Sequence, residues 1–165
     1  MTAFEIRPAT GDDLPRIRQL VRDYVAWIGL DLAFQEIDAE IDGLPGDYAP
    51  PRGFLLVAGK AGAEPVAMIG LRPLDSACLA EARSAKAGEM KRLYVAPAAR
   101  GKGLARTLIL RLLDEARSLG YREIGLDTLP MMGDAQALYA SLGFIDMAPY
   151  YDTPIEGTRF MAKQL

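Results

Sequence analysis

Two glycines flanked by cations make the stretch Arg100-Gly-Lys-Gly-Leu-Ala105 the most chemically suggestive in the sequence. Gly101 and Gly103 let a main chain approach an anion with no Cβ in the way, and Arg100, Lys102 and Arg106 add positive charge. A strand that runs into such a turn and on into a helix aims backbone N–H groups and the positive helix end at one point, which suits a phosphate or pyrophosphate. The charge is local: residues 83–111 hold eight basic residues against one acid, Glu89, a window of +7 in a chain of net charge −3. A nucleic-acid binder would carry its charge more widely, and a pI near 5.1 points away from that partner. The turn lacks the Gly-Lys-Ser/Thr ending of a nucleoside-triphosphate loop and the spacing of G-x-G-x-x-G. Taken alone, it is better explained by a plain loop.

The chain has no histidine. Every Ser-His, Cys-His or His-mediated general-base mechanism is thereby excluded, and the commonest zinc and iron ligand is missing. Any base must be Asp, Glu, Tyr, Lys, Cys or water, and no metal is expected. The single cysteine, Cys78, cannot form an internal disulfide and reads as an incidental thiol, which suits a reducing cytoplasm. No apolar stretch approaches the roughly 20 residues that span a bilayer, so no membrane is expected. With 165 residues, half of them hydrophobic, residues 1–165 are expected to form one domain.

The elements that must hold the turn follow from periodicity. Phe4, Ile6 and Pro8 suggest a short strand; after Thr10-Gly-Asp-Asp, apolar positions from Leu14 to Ile28 recur at helical spacing until Gly29. A weaker helix is expected over 34–41, then a loop rich in proline and glycine to Gly53. Phe54 to Lys60 and Pro65 to Pro73 read as an antiparallel hairpin. Met90 to Val95 is a central strand stopped by Pro97, and the spacing of Leu104, Leu108, Leu112 and Leu119 predicts a helix over 103–119. A short strand at 124–126, a helix over 134–142, and strands near 144–149 and 158–163 complete a mixed α/β order.

With those elements placed, the chain resembles the Gcn5-related N-acetyltransferases. Their coenzyme-A motif, Q/R-x-x-G-x-G/A at a helix start, is matched by Arg100-x-x-Gly103-x-Ala105. Met90-Lys-Arg-Leu-Tyr-Val-Ala-Pro97 is similar to the strand before it, and Ala137-Leu-Tyr-Ala-Ser-Leu-Gly-Phe144 to the helix-to-strand signature downstream. The resemblance implies a mostly antiparallel sheet of about seven strands, with a splayed parallel pair at its centre and helices on both faces. It implies acetyl-CoA as cosubstrate, its pantetheine arm pairing like an added strand with the backbone of Leu93, Tyr94 and Val95. The pyrophosphate would rest on Arg100, Gly101, Lys102, Gly103, Leu104, Ala105 and Arg106.

The resemblance also implies direct transfer to a primary amine of a small molecule or peptide. Tyr139, before the Gly143-Phe144 turn, matches the tyrosine that protonates the departing thiolate; its ordinary reading is a packed tyrosine with its hydroxyl at the rim. Glu89 stands where some members place a carboxylate base, acting directly or through water, and reads equally well as a solvated strand-end glutamate. One departure is Met132, where the family often has asparagine on the pantetheine arm; Met131 and Met132 read as packing at a channel wall. The acceptor would be bounded by the loops 29–53 and 75–87 and the C-terminal strands with Tyr150, Tyr151 and Asp152. Tyr48, Arg72, Lys91, Asp127, Thr128 and Tyr150 are the candidate contacts. The acidic remainder of the chain favours a cationic amine, while Arg72 and Lys91 suit a carboxylate. A homodimer is left open. Two competing classes remain: a non-catalytic coenzyme-A-binding or sensing module, and a nucleotide or nucleic-acid binder using the +7 window.

Overall fold

The computed structural model describes residues 3–74 and 86–165. Among these residues seven strands form one sheet: β1 (Phe4–Pro8), β2 (Phe54–Lys60), β3 (Ala67–Leu74), β4 (Ala87–Val95), β5 (Glu123–Thr128), β6 (Ile145–Met147) and β7 (Arg159–Gln164). Their spatial order is β1-β2-β3-β4-β5-β7-β6, antiparallel throughout except for β4 with β5. The helices are α1 (Leu14–Ile28), α2 (Ile37–Gly43), α3 (Leu104–Ser118) and α4 (Gly133–Ser141).

Both faces of the sheet are covered, which explains why its strands read as continuous apolar runs. In β2, Leu55 and Val57 pack toward Ile17, Leu20 and Ile41 of α1 and α2, while Leu56 and Ala58 pack toward Leu108, Leu112 and Leu113 of α3. Helix α1 begins with Pro15 in its first turn and ends at Gly29, whose φ of 68° lets its N–H reach the Val25 carbonyl. Ahead of it, Arg7 donates two hydrogen bonds to Asp13, and that pairing holds the Asp13 carboxyl far below its usual range.

Two features open the sheet where a ligand can enter. The parallel ladder joins only Ala87–Glu89 to Glu123–Gly125. Past it, β4 follows β3 and β5 follows β7, so the two strands part. Within β4 the register against β3 also slips: Tyr94 faces Met68 and Lys91 faces Gly70, which leaves Arg92 and Leu93 opposite Ile69 alone. Arg92 adopts a left-handed φ of 59° to make this bulge, a conformation that costs a non-glycine residue about 1–2 kcal/mol.

The first strand, the hairpin, α1, α3, α4 and β7 stand within two residues of their expected bounds. The expected helix over 34–41 is instead a one-turn 3-10 helix (Ala33–Gln35) followed by α2, because Glu36 between them takes a left-handed φ of 52°. Strand β4 starts at Ala87 rather than Met90, since Ala87, Gly88 and Glu89, poor strand formers by type, are held by pairing with both β3 and β5. Cys78 and most of the 75–87 loop lie outside the described residues. No helix among the described residues is long and apolar enough to cross a membrane.

Candidate active site

The glycine turn needs two left-handed residues in succession around Lys102. Gly101 has φ 73° and Gly103, which caps α3, has φ 74°. A Cβ at either would meet nothing within 4 Å, so in this structure the glycines serve backbone conformation. The first turn of α3 leaves the amides of Leu104, Ala105 and Arg106 without helical acceptors, pointing out of the helix end. These groups border a groove of about 410 Å³ that runs from the turn to the exposed edge of β4 and to α4. All the residues expected to hold the cofactor line this groove except Lys102, whose ammonium lies 5.3 Å above the Phe4 ring and donates to the Ala98 carbonyl.

The groove shares Trp27, Leu93 and Ala135 with a second, smaller cavity of about 90 Å³ set deeper in the gap between β4 and β5. Tyr139 of α4 lines this inner cavity. It is buried, its ring packs edge-on to Phe144 at 5.9 Å, and its hydroxyl has no hydrogen-bond partner among the described residues. Burial pushes its pKa upward, with Tyr24 and Asp127 adding to the effect, so the hydroxyl keeps its proton at neutral pH.

Among the described residues, three carboxylates and three cations form a largely buried ionic network around the cavity. Glu40 accepts from Arg92 at 2.7 Å and pairs with Arg72 at 3.4 Å. Arg72 also donates to Glu89 at 2.8 Å. Lys91 sits between Glu89, 3.8 Å away, and Asp127, to which it donates at 2.6 Å. Each carboxylate further accepts a tyrosine hydroxyl: Glu40 from Tyr48, Glu89 from Tyr150 and Asp127 from Tyr151, at 3.1, 2.6 and 2.9 Å. Each of these described charges is hydrogen-bonded to an opposite one, which is what allows ions to persist at this depth. Burial works to raise Asp127, and the Lys91 ammonium, the Tyr151 hydroxyl and the Arg92 guanidinium together outweigh it, leaving the carboxyl below its usual range. Glu40 is lowered in the same sense against burial, chiefly by Arg92.

The sequence-predicted residues therefore divide. Tyr139, Lys91 and Asp127 line the inner cavity. Glu89 does not: it is 2% exposed, and its two oxygens are taken by Arg72 and Tyr150. Tyr48 and Arg72 border a separate pocket of about 240 Å³, which meets the inner cavity at Gln35. Tyr150 packs with Ala87 and Phe160 and acts through its bond to Glu89, while Thr128 is buried with its hydroxyl toward Met132 sulfur at 3.9 Å. Met132 lines the inner cavity as a wall residue. The sequence did not single out Tyr24, Trp27, Gln35, Glu40 or Arg92. For Arg92 a signal existed, since two adjacent cations in an apolar central strand demand buried counter-charges; for Glu40, on a helix 52 positions away, none did.

A family model of the acetyltransferase (GNAT) family matches residues 14–144. An uncharacterized N-acetyltransferase of Schizosaccharomyces pombe is 34% identical over 93% of this chain and 89% of its own. A second, from Escherichia coli, is 33% identical over 84% of this chain and 80% of its own. Among solved structures, a GCN5-related N-acetyltransferase from Ralstonia eutropha superposes with a TM-score of 0.74 at 26% identity, covering 94% of this chain and all of that one. A Staphylococcus aureus GNAT acetyltransferase reaches a TM-score of 0.77 at 16% identity over 98% and 99% of the two chains, a likeness of fold.

Proposed function

Since the chain belongs to the acetyltransferase (GNAT) family and is an acyltransferase, we propose that it moves an acetyl group from acetyl-CoA to a primary amine of a small molecule or peptide by direct attack in a ternary complex. The observation that carries this reading is the Tyr139 hydroxyl, buried and unpartnered among the described residues, in a cavity that shares Trp27, Leu93 and Ala135 with the groove at the glycine turn. Solved relatives of the same fold have been captured with acetyl-CoA and with coenzyme A.

In this reading the amides from Gly101 to Arg106 hold the pyrophosphate, and the open edge of β4 from Leu93 to Val95 pairs with the pantetheine arm. The thioester then lies at the junction of groove and inner cavity. Once the acceptor ammonium has lost a proton, its nitrogen forms a bond to the carbonyl carbon, the C–S bond breaks, and Tyr139 gives its proton to the departing sulfur and is restored by the second proton that the nitrogen releases. Asp127, charged and facing the cavity, orients the acceptor ammonium, and Lys91 balances it. Glu89 serves as proton acceptor through a water or through its hydrogen-bonded neighbours, because both of its oxygens are already engaged. One observation favours a second reading of the base: Asp127 lines the cavity and Glu89 does not.

The test is thiol release from acetyl-CoA against amines, polyamines, amino acids and aminoglycosides. Turnover with any acceptor supports the proposal. Thermal stabilisation by coenzyme A without thiol release across the panel would favour the non-catalytic module. With an acceptor in hand, pH profiles of kcat/KM for Glu89→Gln and Asp127→Asn identify the base: the variant that loses the acid limb of the profile has lost it.

A further inference from the structure

Trp27 is the only tryptophan in the chain, and it is 52% exposed at the end of α1. An exposed aromatic is unremarkable alone. Its position is not, because Trp27 lines both the groove and the inner cavity and so stands at their junction. The Arg100 guanidinium lies 5.0 Å from the centre of the Trp27 ring and 5.8 Å from that of Tyr94. The two rings are themselves 6.4 Å apart. Arg100 Nε donates to the Val95 carbonyl at 2.9 Å. That carbonyl lies on the open side of β4, since the following residue, Ala96, turns its N–H the other way to the Val66 carbonyl. Arg100 is therefore committed to the strand edge and to two aromatic faces, away from the amides at the helix end.

Resting on the coenzyme-A reading above, we infer that Trp27 is a binding residue for the pantetheine arm and that Arg100 is a positioning residue for Trp27 rather than a ligand of the phosphates. The arm, mostly apolar between its amides, runs along β4 with the indole as its opposite wall. Arg100 fixes that wall by stacking on it, using a planar cation that lysine cannot imitate. The motif position that reads in sequence as phosphate charge thus acts on the neutral middle of the cosubstrate.

The discriminating probes are coenzyme A and adenosine 3′-phosphate 5′-diphosphate, which keeps the 3′-phosphate and both phosphates of the pyrophosphate and lacks the arm. Coenzyme A is expected to change Trp27 emission, whereas adenosine 3′-phosphate 5′-diphosphate binds by calorimetry and leaves emission unchanged. Trp27→Ala should raise KM for acetyl-CoA about tenfold with kcat within about twofold, and leave affinity for adenosine 3′-phosphate 5′-diphosphate unaltered. Arg100→Lys, which keeps the charge, should raise KM for acetyl-CoA about fivefold and spare the nucleotide equally. Should Trp27→Ala not fold, Trp27→Phe and wild-type emission decide the matter. Equal emission responses to both probes, an unchanged KM in the Trp27 variants, or full retention of coenzyme-A affinity in Arg100→Lys overturns the inference while leaving the coenzyme-A reading intact. Failure of wild-type protein to bind coenzyme A by calorimetry overturns both.

Discussion

Replacing Tyr139 by phenylalanine removes one oxygen from a side chain that is 7% exposed. Two consequences follow from the structure, and they separate catalysis from stability. A positioned general acid contributes about 10²–10⁴-fold, so kcat should fall by that factor, about 2.7–5.5 kcal/mol of transition-state stabilisation. KM for acetyl-CoA should hold within about twofold, because the hydroxyl meets the sulfur only as it leaves. Folding stability should scarcely change. The hydroxyl has no partner among the described residues, so no protein hydrogen bond is lost, and the ring keeps its edge contact with Phe144.

The measurements are steady-state thiol release and thermal unfolding on the same preparations. Since burial raises the folded-state pKa of Tyr139 above the usual value near 10, the group stays protonated through neutral pH. Wild-type turnover should accordingly show no alkaline fall from this residue below about pH 10. A variant that retains more than about a third of wild-type kcat on a true acceptor refutes the proton-donor role. A loss of activity accompanied by a fall in Tm of more than about 5 °C refutes the claim that the hydroxyl is structurally idle.

Tyr150→Phe is the contrasting case. Its hydroxyl donates to the buried Glu89 carboxylate, so stability should drop by about 1.5–3 kcal/mol, or about 4–10 °C in Tm, and an unchanged Tm would show the bond to be worth nothing. Gly103→Ala forces a left-handed alanine at the α3 cap; it should cost about 1–2 kcal/mol in denaturant titration and raise KM for acetyl-CoA, whereas Gly11→Ala, with open space and no positive φ, should do neither. The pH dependence of Tm should be a broad plateau. Asp13, Glu40 and Asp127 have lowered folded-state values, so their stabilisation is present above the usual carboxylate range near 4 and is lost as pH falls through the folded values. Tyr48, Tyr139, Tyr150 and Tyr151 have raised values, so theirs is present below about 10 and is lost as pH rises further. No histidine titrates between, and a Tm maximum with steep flanks inside pH 6–8 would contradict this account.

The fold was legible wherever local chemistry decided it. Pro15 and Gly29 bracket α1, Gly103 opens α3, and the apolar positions of α3 recur at the helical period because one stripe of that helix is buried. It was illegible where tertiary pairing decided it. Nothing in Ala87-Gly-Glu89 favours a strand, and only pairing with β3 on one side and β5 on the other makes it one. The break at Glu36 is equally non-local in origin, since a string of helix-competent residues is interrupted to place Ile37 and Ile41 in the core.

The same division runs through the site. A groove built from main-chain groups announces itself, because glycines that permit positive φ must be written into the sequence at the positions that need them. The inner cavity is built from side chains that converge from α1, α4, β4 and β5, and its most consequential feature violates the rule by which strands are read. Strict alternation along β4 would send Lys91 and Arg92 to opposite faces of the sheet. The bulge at Arg92 suspends that alternation, so Lys91, Arg92 and Leu93 all border one cavity. Arg92 can then be met by Glu40 from α2 while Lys91 is met by Asp127 from β5. A single left-handed residue thus opens the strand edge and brings two adjacent cations to one cavity. It costs about 1–2 kcal/mol of backbone strain, and removing one partner of either pair would leave an uncompensated charge beside the cavity.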